Sequence, residues 1–192
     1  MPTFFVSFVL IFFAELGDKS QLVALWFATR YRWWLVVAGV SVATLVVHLG
    51  STALGESLGS LLPEWLLLIA IGLSFFVFAA WGLKGDRITE PTERVTESGV
   101  RALGVITTAF FLSELGDKTQ LATITIAGAQ DSFIGVWLGS TLGMVAADAL
   151  AIAGGTMVGK RLSQRTTAVI AALLFAVFGA LALVRAALLL LD

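Results

Sequence analysis

Apolar positions along the chain gather into six long runs, at about 3–28, 33–56, 64–84, 102–127, 132–157 and 166–190, with polar stretches between them. Runs of that length match the roughly 18 to 20 apolar residues needed to cross a hydrocarbon core of about 30 Å. The pattern therefore predicts an all-α integral membrane protein with six transmembrane helices. The one polar stretch of any length is KGDRITEPTERVTESGVR, from Lys84 to Arg101. Its mixed charges, with Pro91 and Gly99, suit a solvated linker. It divides the chain into a first half at 1–84, a linker at 85–101 and a second half at 102–192.

Basic residues between the runs give an orientation, because cytoplasmic loops are enriched in Lys and Arg. Arg30 and Arg32 fall in the first loop, Lys84, Arg87, Arg94 and Arg101 in or beside the third, and Lys160, Arg161 and Arg165 in the fifth. These loops share one side of the membrane. The N-terminus, the second loop around Pro63 and Glu64, and the fourth around Asp131 carry no basic residue, and the C-terminal end has only Arg185. Both termini are expected outside the cytoplasm.

Composition sharpens this picture by exclusion. A chain that is 58% hydrophobic and 13% charged, with a mean hydropathy of +0.97, is too apolar for a soluble domain. The net charge of −1 offers nothing to nucleic acid, and no basic amphipathic stretch suggests a peripheral surface helix. With no cysteine, disulfides, thiolate metal sites and thiol catalysis are excluded. Met1 to Phe13 contains no Lys or Arg, so the first run is expected to be a mature helix rather than a signal peptide.

The chain also repeats itself. FFAELGDKSQL, from Phe12 to Leu22, lies over a second segment whose ELGDKTQL part runs from Glu114 to Leu121. Glu15 falls on Glu114, Gly17 on Gly116, Asp18 on Asp117, Lys19 on Lys118, Ser20 on Thr119 and Gln21 on Gln120. With one inserted residue the register continues, pairing Gly39 with Gly139, His48 with Asp148, Gly55 with Gly155, Gly59 with Gly159 and Phe78 with Phe178. Three helices per half is an odd number, so the second half must enter the membrane from the opposite side, as two inverted three-helix repeats. Each motif lies about 12 residues into its helix, roughly 18 Å at 1.5 Å per residue, which brings both near the midplane.

On an ideal helix Glu15, Asp18 and Lys19 share a face, being i, i+3 and i+4, with Gln21 flanking it. Such clustered carboxylate and amide oxygens suit a hard divalent cation. Gly17 and Gly116 weaken the helix at the same point, where a break would add backbone carbonyls. Each Asp or Lys at a helix centre costs about 2.5 to 3.5 kcal/mol on insertion scales, so one motif carries roughly 7 to 10 kcal/mol before pairing. A local Glu15–Lys19 ion pair that fastens helices is the alternative reading. Two facing motifs carry −2 when ionised, which a divalent cation would neutralise. Repulsion and desolvation would favour proton uptake in its absence, so metal and protons would compete for the same oxygens. Lys19 and Lys118 could instead act as internal counter-ions.

Asp148 is a lone acid in the fifth run, open either to a ligand or proton-relay role or to an interhelical hydrogen bond. His48 holds the matching place in the second run, where an interhelical hydrogen bond is the plainer account. The glycines at 39, 50, 55, 59, 139, 143, 154, 155 and 159 are expected to permit close helix packing. Trp26, Trp33, Trp34, Trp65 and Trp81 sit near run ends, as in an interfacial belt.

At ELGDKS and ELGDKT the chain resembles the transmembrane protein 165 family of cation/proton exchangers, marked by two copies of E-x-G-D-[KR]-[ST] in inverted three-helix halves. The resemblance spans nearly the whole chain. It implies exchange of Mn²⁺ or Ca²⁺ for protons, with Glu15, Asp18, Glu114 and Asp117 as cation ligands and Gln21 and Gln120 as helpers. Lys19, Ser20, Lys118, Thr119, Asp148 and His48 are candidates for support or proton coupling. The expectation is a bacterial plasma-membrane exporter of Mn²⁺ with no resident cofactor, and with the cation, protons and the bilayer as its partners. A passive cation channel and an exporter of a small zwitterion such as an amino acid remain alternatives. An enzyme is not expected, because no nucleophile and base pairing or His-rich metal site appears.

Overall fold

The computed structural model describes residues 2–84, 99–157 and 164–191, and every regular element among them is an α-helix. In chain order these are α1 (Pro2–Glu15), α2 (Lys19–Ala28), α3 (Trp33–Leu61), α4 (Glu64–Lys84), α5 (Val100–Glu114), α6 (Lys118–Ala129), α7 (Phe133–Met157) and α8 (Gln164–Leu191). Among the described residues, three stretches are each long and apolar enough to cross a bilayer alone: Trp33–Leu61, Phe133–Ala153 and Ala172–Leu191. Pro2–Glu15 and Glu64–Ala80 are apolar but shorter. Most of the linker expected at 85–101 lies outside the described residues, and its last two positions already belong to α5.

Two of the apolar runs are not single helices, which corrects the ideal-helix reading. The run at 3–28 is α1 followed by α2, and the run at 102–127 is α5 followed by α6. The partings come at Gly17, with φ 80°, and Gly116, with φ 78°, a left-handed conformation that glycine adopts without a Cβ penalty. Glu15 and Glu114 therefore close one helix, while Asp18 and Asp117 stand as extended residues that open the next. The motif acids do not share the face of one cylinder. They sit on either side of a break.

Helix packing then sets the halves against each other. α1 and α2 lie on α7, α5 and α6 lie on α3, α3 crosses α7, and α4 runs beside α8. Exchanging the first four helices for the last four maps these main neighbours onto themselves, whereas the packing of α4 on α6 and of α1 on α8 has no counterpart of like extent among the described residues. Small residues allow the approach: a Cβ at Gly139 would stand 2.5 Å from the Phe4 carbonyl oxygen, and one at Gly39 2.6 Å from Ile106 Cγ2. One at Gly55 would overlap the Ile124 carbonyl. Gly50 corrects its expectation, because a Cβ placed there would meet no neighbouring helix within 4 Å. Gly154, Gly155 and Gly159 lie where no side-chain surroundings are described.

At the crossing of α3 and α7, buried Thr44 Oγ1 lies 3.4 Å from buried Met144 Sδ, and Trp137 Nε1 donates to the Leu45 carbonyl at 2.9 Å. Thr44 and Met144 occupy equivalent places in the register that pairs His48 with Asp148, so the halves meet there through like positions. One end of the bundle is fixed by Thr3, whose hydroxyl donates to Gln130 Oε1 at 3.1 Å, so α1 begins where α6 ends. Outward positions such as Val46, Leu54, Val77, Leu173, Val177 and Leu181 are exposed, an apolar perimeter that suits lipid rather than water.

Candidate cation site

Each break is braced by the glutamine of its own motif. Gln21 Oε1 accepts the Gly17 N–H at 2.7 Å, and Gln120 Oε1 accepts the Gly116 N–H at 2.6 Å. A backbone donor that the interrupted helix leaves over is thereby satisfied. The backbone closes the same tight turn in both copies, Asp18 N to Glu15 O at 3.0 Å and Asp117 N to Glu114 O at 3.2 Å. Gln21 goes further, donating from Nε2 to the Ala147 carbonyl of α7 at 2.9 Å. That bond fixes the first break beside Asp148, the next residue along.

The acids of both motifs are buried: Glu15 is 0% exposed, Asp18 4%, Glu114 1%, Asp117 3% and Asp148 1%. They are also close together. Glu15 lies within electrostatic reach of Glu114, Asp18, Asp148 and Asp117, and Asp148 is within reach of Asp18. Among the described residues, neither oxygen of Glu15 nor of Asp148 receives a hydrogen bond. Lys118 closes the arrangement across the halves, its Nζ 2.8 Å from Asp18 Oδ1. The ammonium of one motif thus pairs with the aspartate of the other, an arrangement that a motif read along its own helix does not suggest.

Hydroxyls complete the surroundings. Thr119 Oγ1 lies 3.4 Å from both Glu114 Oε2 and Asp117 Oδ2, and its N–H reaches Asp117 Oδ2 at 3.5 Å. Ser20, its counterpart, is fully buried with no hydrogen bond to its hydroxyl oxygen among the described residues. The side chain of Lys19 is outside the described residues. His48 is fully buried on α3, and neither of its nitrogens has a partner among the described residues, so the expected interhelical hydrogen bond is not observed there. Thr44 and Met144 were not singled out by sequence, although the register of the repeat pairs them.

In chemical terms the region offers buried carboxylates, hydroxyls and the carbonyl ends of two half-helices, with the Lys118 ammonium as counter-ion among the described residues. Among the described residues no group of three or more His, Asp or Glu converges tightly enough to cage a metal ion. Lys118 on Asp18 offsets part of the negative charge that the acids carry when ionised.

Comparison with known proteins agrees with this chemistry. The family model described as the divalent cation/proton antiporter GDT1 matches residues 3–90 and 102–188. A protein of Vibrio cholerae serotype O1 named "Putative manganese exporter" is 36% identical over 151 residues, covering 77% of this chain and 74% of that protein. A GDT1-like protein of Synechocystis is 30% identical over 201 residues, covering 93% and 95%. A GDT1-like protein 3 of Oryza sativa subsp. indica is 32% identical over 196 residues, covering 89% and 70%. No solved structure matches. With one match segment in each half and a duplicated acidic break between apolar helices, this multi-pass membrane protein belongs to the GDT1 family of divalent cation/proton antiporters, a family of transporters rather than enzymes.

Proposed function

We propose that this chain exports Mn²⁺ from the cytoplasm in exchange for entering protons, with Ca²⁺ as the next candidate cargo. Its architecture in this reading is six membrane spans in two inverted three-helix repeats, both termini outside the cytoplasm. α1 with α2 forms one span and α5 with α6 another. The exchange of helix neighbours between halves, and the start of α1 beside the end of α6, support that inversion.

The observation that carries the reading is the cross-repeat pair of Lys118 and Asp18 among buried acids. An ammonium on a carboxylate offsets part of the cost of burying charge while no cation is present. An arriving divalent cation supplies that positive charge instead, drawing on Glu15, Asp18, Glu114 and Asp117. Gln21 and Gln120 brace the breaks through one lone pair of each amide oxygen, and the second remains for the cation. Protons and metal then compete for the same oxygens, the condition for exchange. Alternating access follows from rocking one half against the other about the α3–α7 crossing.

The reading is tested in proteoliposomes with an imposed pH gradient and simultaneous dyes for lumenal pH and Mn²⁺. Coupled and opposed fluxes that vanish in Asp18→Asn are expected. Metal flux without proton flux would establish a channel, and silence toward metals with amino-acid transport would establish the zwitterion exporter.

A further inference from the structure

The two halves place different chemistry at one equivalent position, and the difference falls beside the site. On α7, Gly139 meets Phe4 and Ser7, Gly143 meets Phe8 and Phe12, and the Ala147 carbonyl receives Gln21. Contacts therefore climb α7 and α1–α2 together, and Asp148 arrives at the first break. On α3, Gly39 meets Ile106 and Gly55 meets Ile124 and Ala127, so contacts climb α3 and α5–α6 together in the same way. His48, between Gly39 and Gly55, arrives at the level of the second break, where α5 ends at Glu114 and α6 begins at Lys118.

His48 is fully buried with two nitrogens that no described residue partners. It does not stand in apolar surroundings of its own helix. Thr44, Ser51 and Thr52 share its face at helical spacing and are fully buried, whereas the matching positions on α7 are Met144, Ala151 and Ile152. A buried imidazole left without partners is costly unless something else uses it. Neutral imidazole is a good ligand for transition metals, while Ca²⁺ and Mg²⁺ are bound through oxygen.

We propose that His48 is a specificity-determining ligand, a single nitrogen donor at the second break that favours Mn²⁺ over Ca²⁺. This rests on the cation-exchange reading given above. The cargo meets an all-oxygen set where Asp148 attends it and a set with one nitrogen where His48 does.

His48 is the only histidine of the chain, which gives a direct readout. Tag-free protein in nanodiscs is loaded with Mn²⁺, and electron spin-echo envelope modulation is recorded on the bound ion. Imidazole ¹⁴N modulation is expected, altered by ¹⁵N-histidine labelling and lost in His48→Gln. In transport competition, His48→Gln should lower the Mn²⁺ over Ca²⁺ preference about tenfold, the low end of losses when a metal site loses a supporting group. His48→Asn serves as a second variant if the first does not fold. Bound Mn²⁺ without nitrogen modulation, or an unchanged preference in either folded variant, overturns the assignment while leaving the exchanger reading intact. Protein that binds no Mn²⁺ and transports none refutes that reading and this one with it.

Discussion

The first and second breaks share a backbone and differ in their surroundings. Both have a positive-φ glycine, an aspartate opening the following helix and a glutamine returning to the glycine N–H. Around the first, Gln21 also ties into α7, Ser20 offers a hydroxyl oxygen that no described residue engages, and Asp148 stands by. Around the second, Thr119 spans Glu114 and Asp117, and the position matching Asp148 is His48. Interrupting a helix demands the same turn wherever it happens, so the backbone device is duplicated intact. Its side-chain surroundings meet no such demand, and they have diverged.

The largest test of this comparison breaks the bond that joins the two motifs. Lys118→Met leaves Asp18 without that ammonium, and Asp18→Asn leaves Lys118 without that carboxylate. Removing one partner of a buried pair costs about 3 to 5 kcal/mol, and the double variant should recover much of it. Thermal unfolding in detergent of the four proteins measures the coupling, and additive losses would mean that the pair is not formed. Next, Gln21→Ala should destabilise more than Gln120→Ala, about 2 against about 1 kcal/mol, because Gln21 makes a second bond to α7. Equal losses would make the two breaks equivalent after all.

A smaller effect isolates the turn itself. Nothing lies within 4 Å of a Cβ at Gly116, so Gly116→Ala meets only the positive φ and should cost about 1 to 2 kcal/mol. Gly104→Ala, also in open space but helical, serves as the control and should be neutral or slightly stabilising. The smallest effect belongs to the exposed pair of Arg185 and Glu64, 2.6 Å apart at the rim of a cavity of about 620 Å³ that Glu56 and Asp131 also line. Glu64→Gln should change stability by less than about 1 kcal/mol. A larger loss in the same unfolding assay would show that this end of the bundle is not merely solvated surface.

Much of this was legible in the sequence, and the failures have physical causes. The duplicated motif could be read because it repeats residue by residue, and Gly17 and Gly116 marked where a helix would weaken. Hydropathy could not tell a broken helix from a continuous one, because apolar side chains report lipid contact and say nothing of i to i−4 bonding. The run at 3–28 therefore read as one helix. Lysine four residues after glutamate left a local pair and an internal counter-ion both open, and only the folded chain shows Lys118 on Asp18 of the other motif. His48 read as hydrogen-bonded because most buried histidines are, yet no described residue partners it.

The exchange of partners between halves also governs how such a chain is made. α1 finds its support on α7 and the first break is tied to Ala147, so neither packing surface exists until the later helices have been synthesised. When 3–28 is first made, the first break has only its own tight turn and Gln21 to hold it. The tie to the Ala147 carbonyl is added when the second half is in place. Neither half of this protein is a finished product alone, and ribosomal order leaves the first waiting for the second.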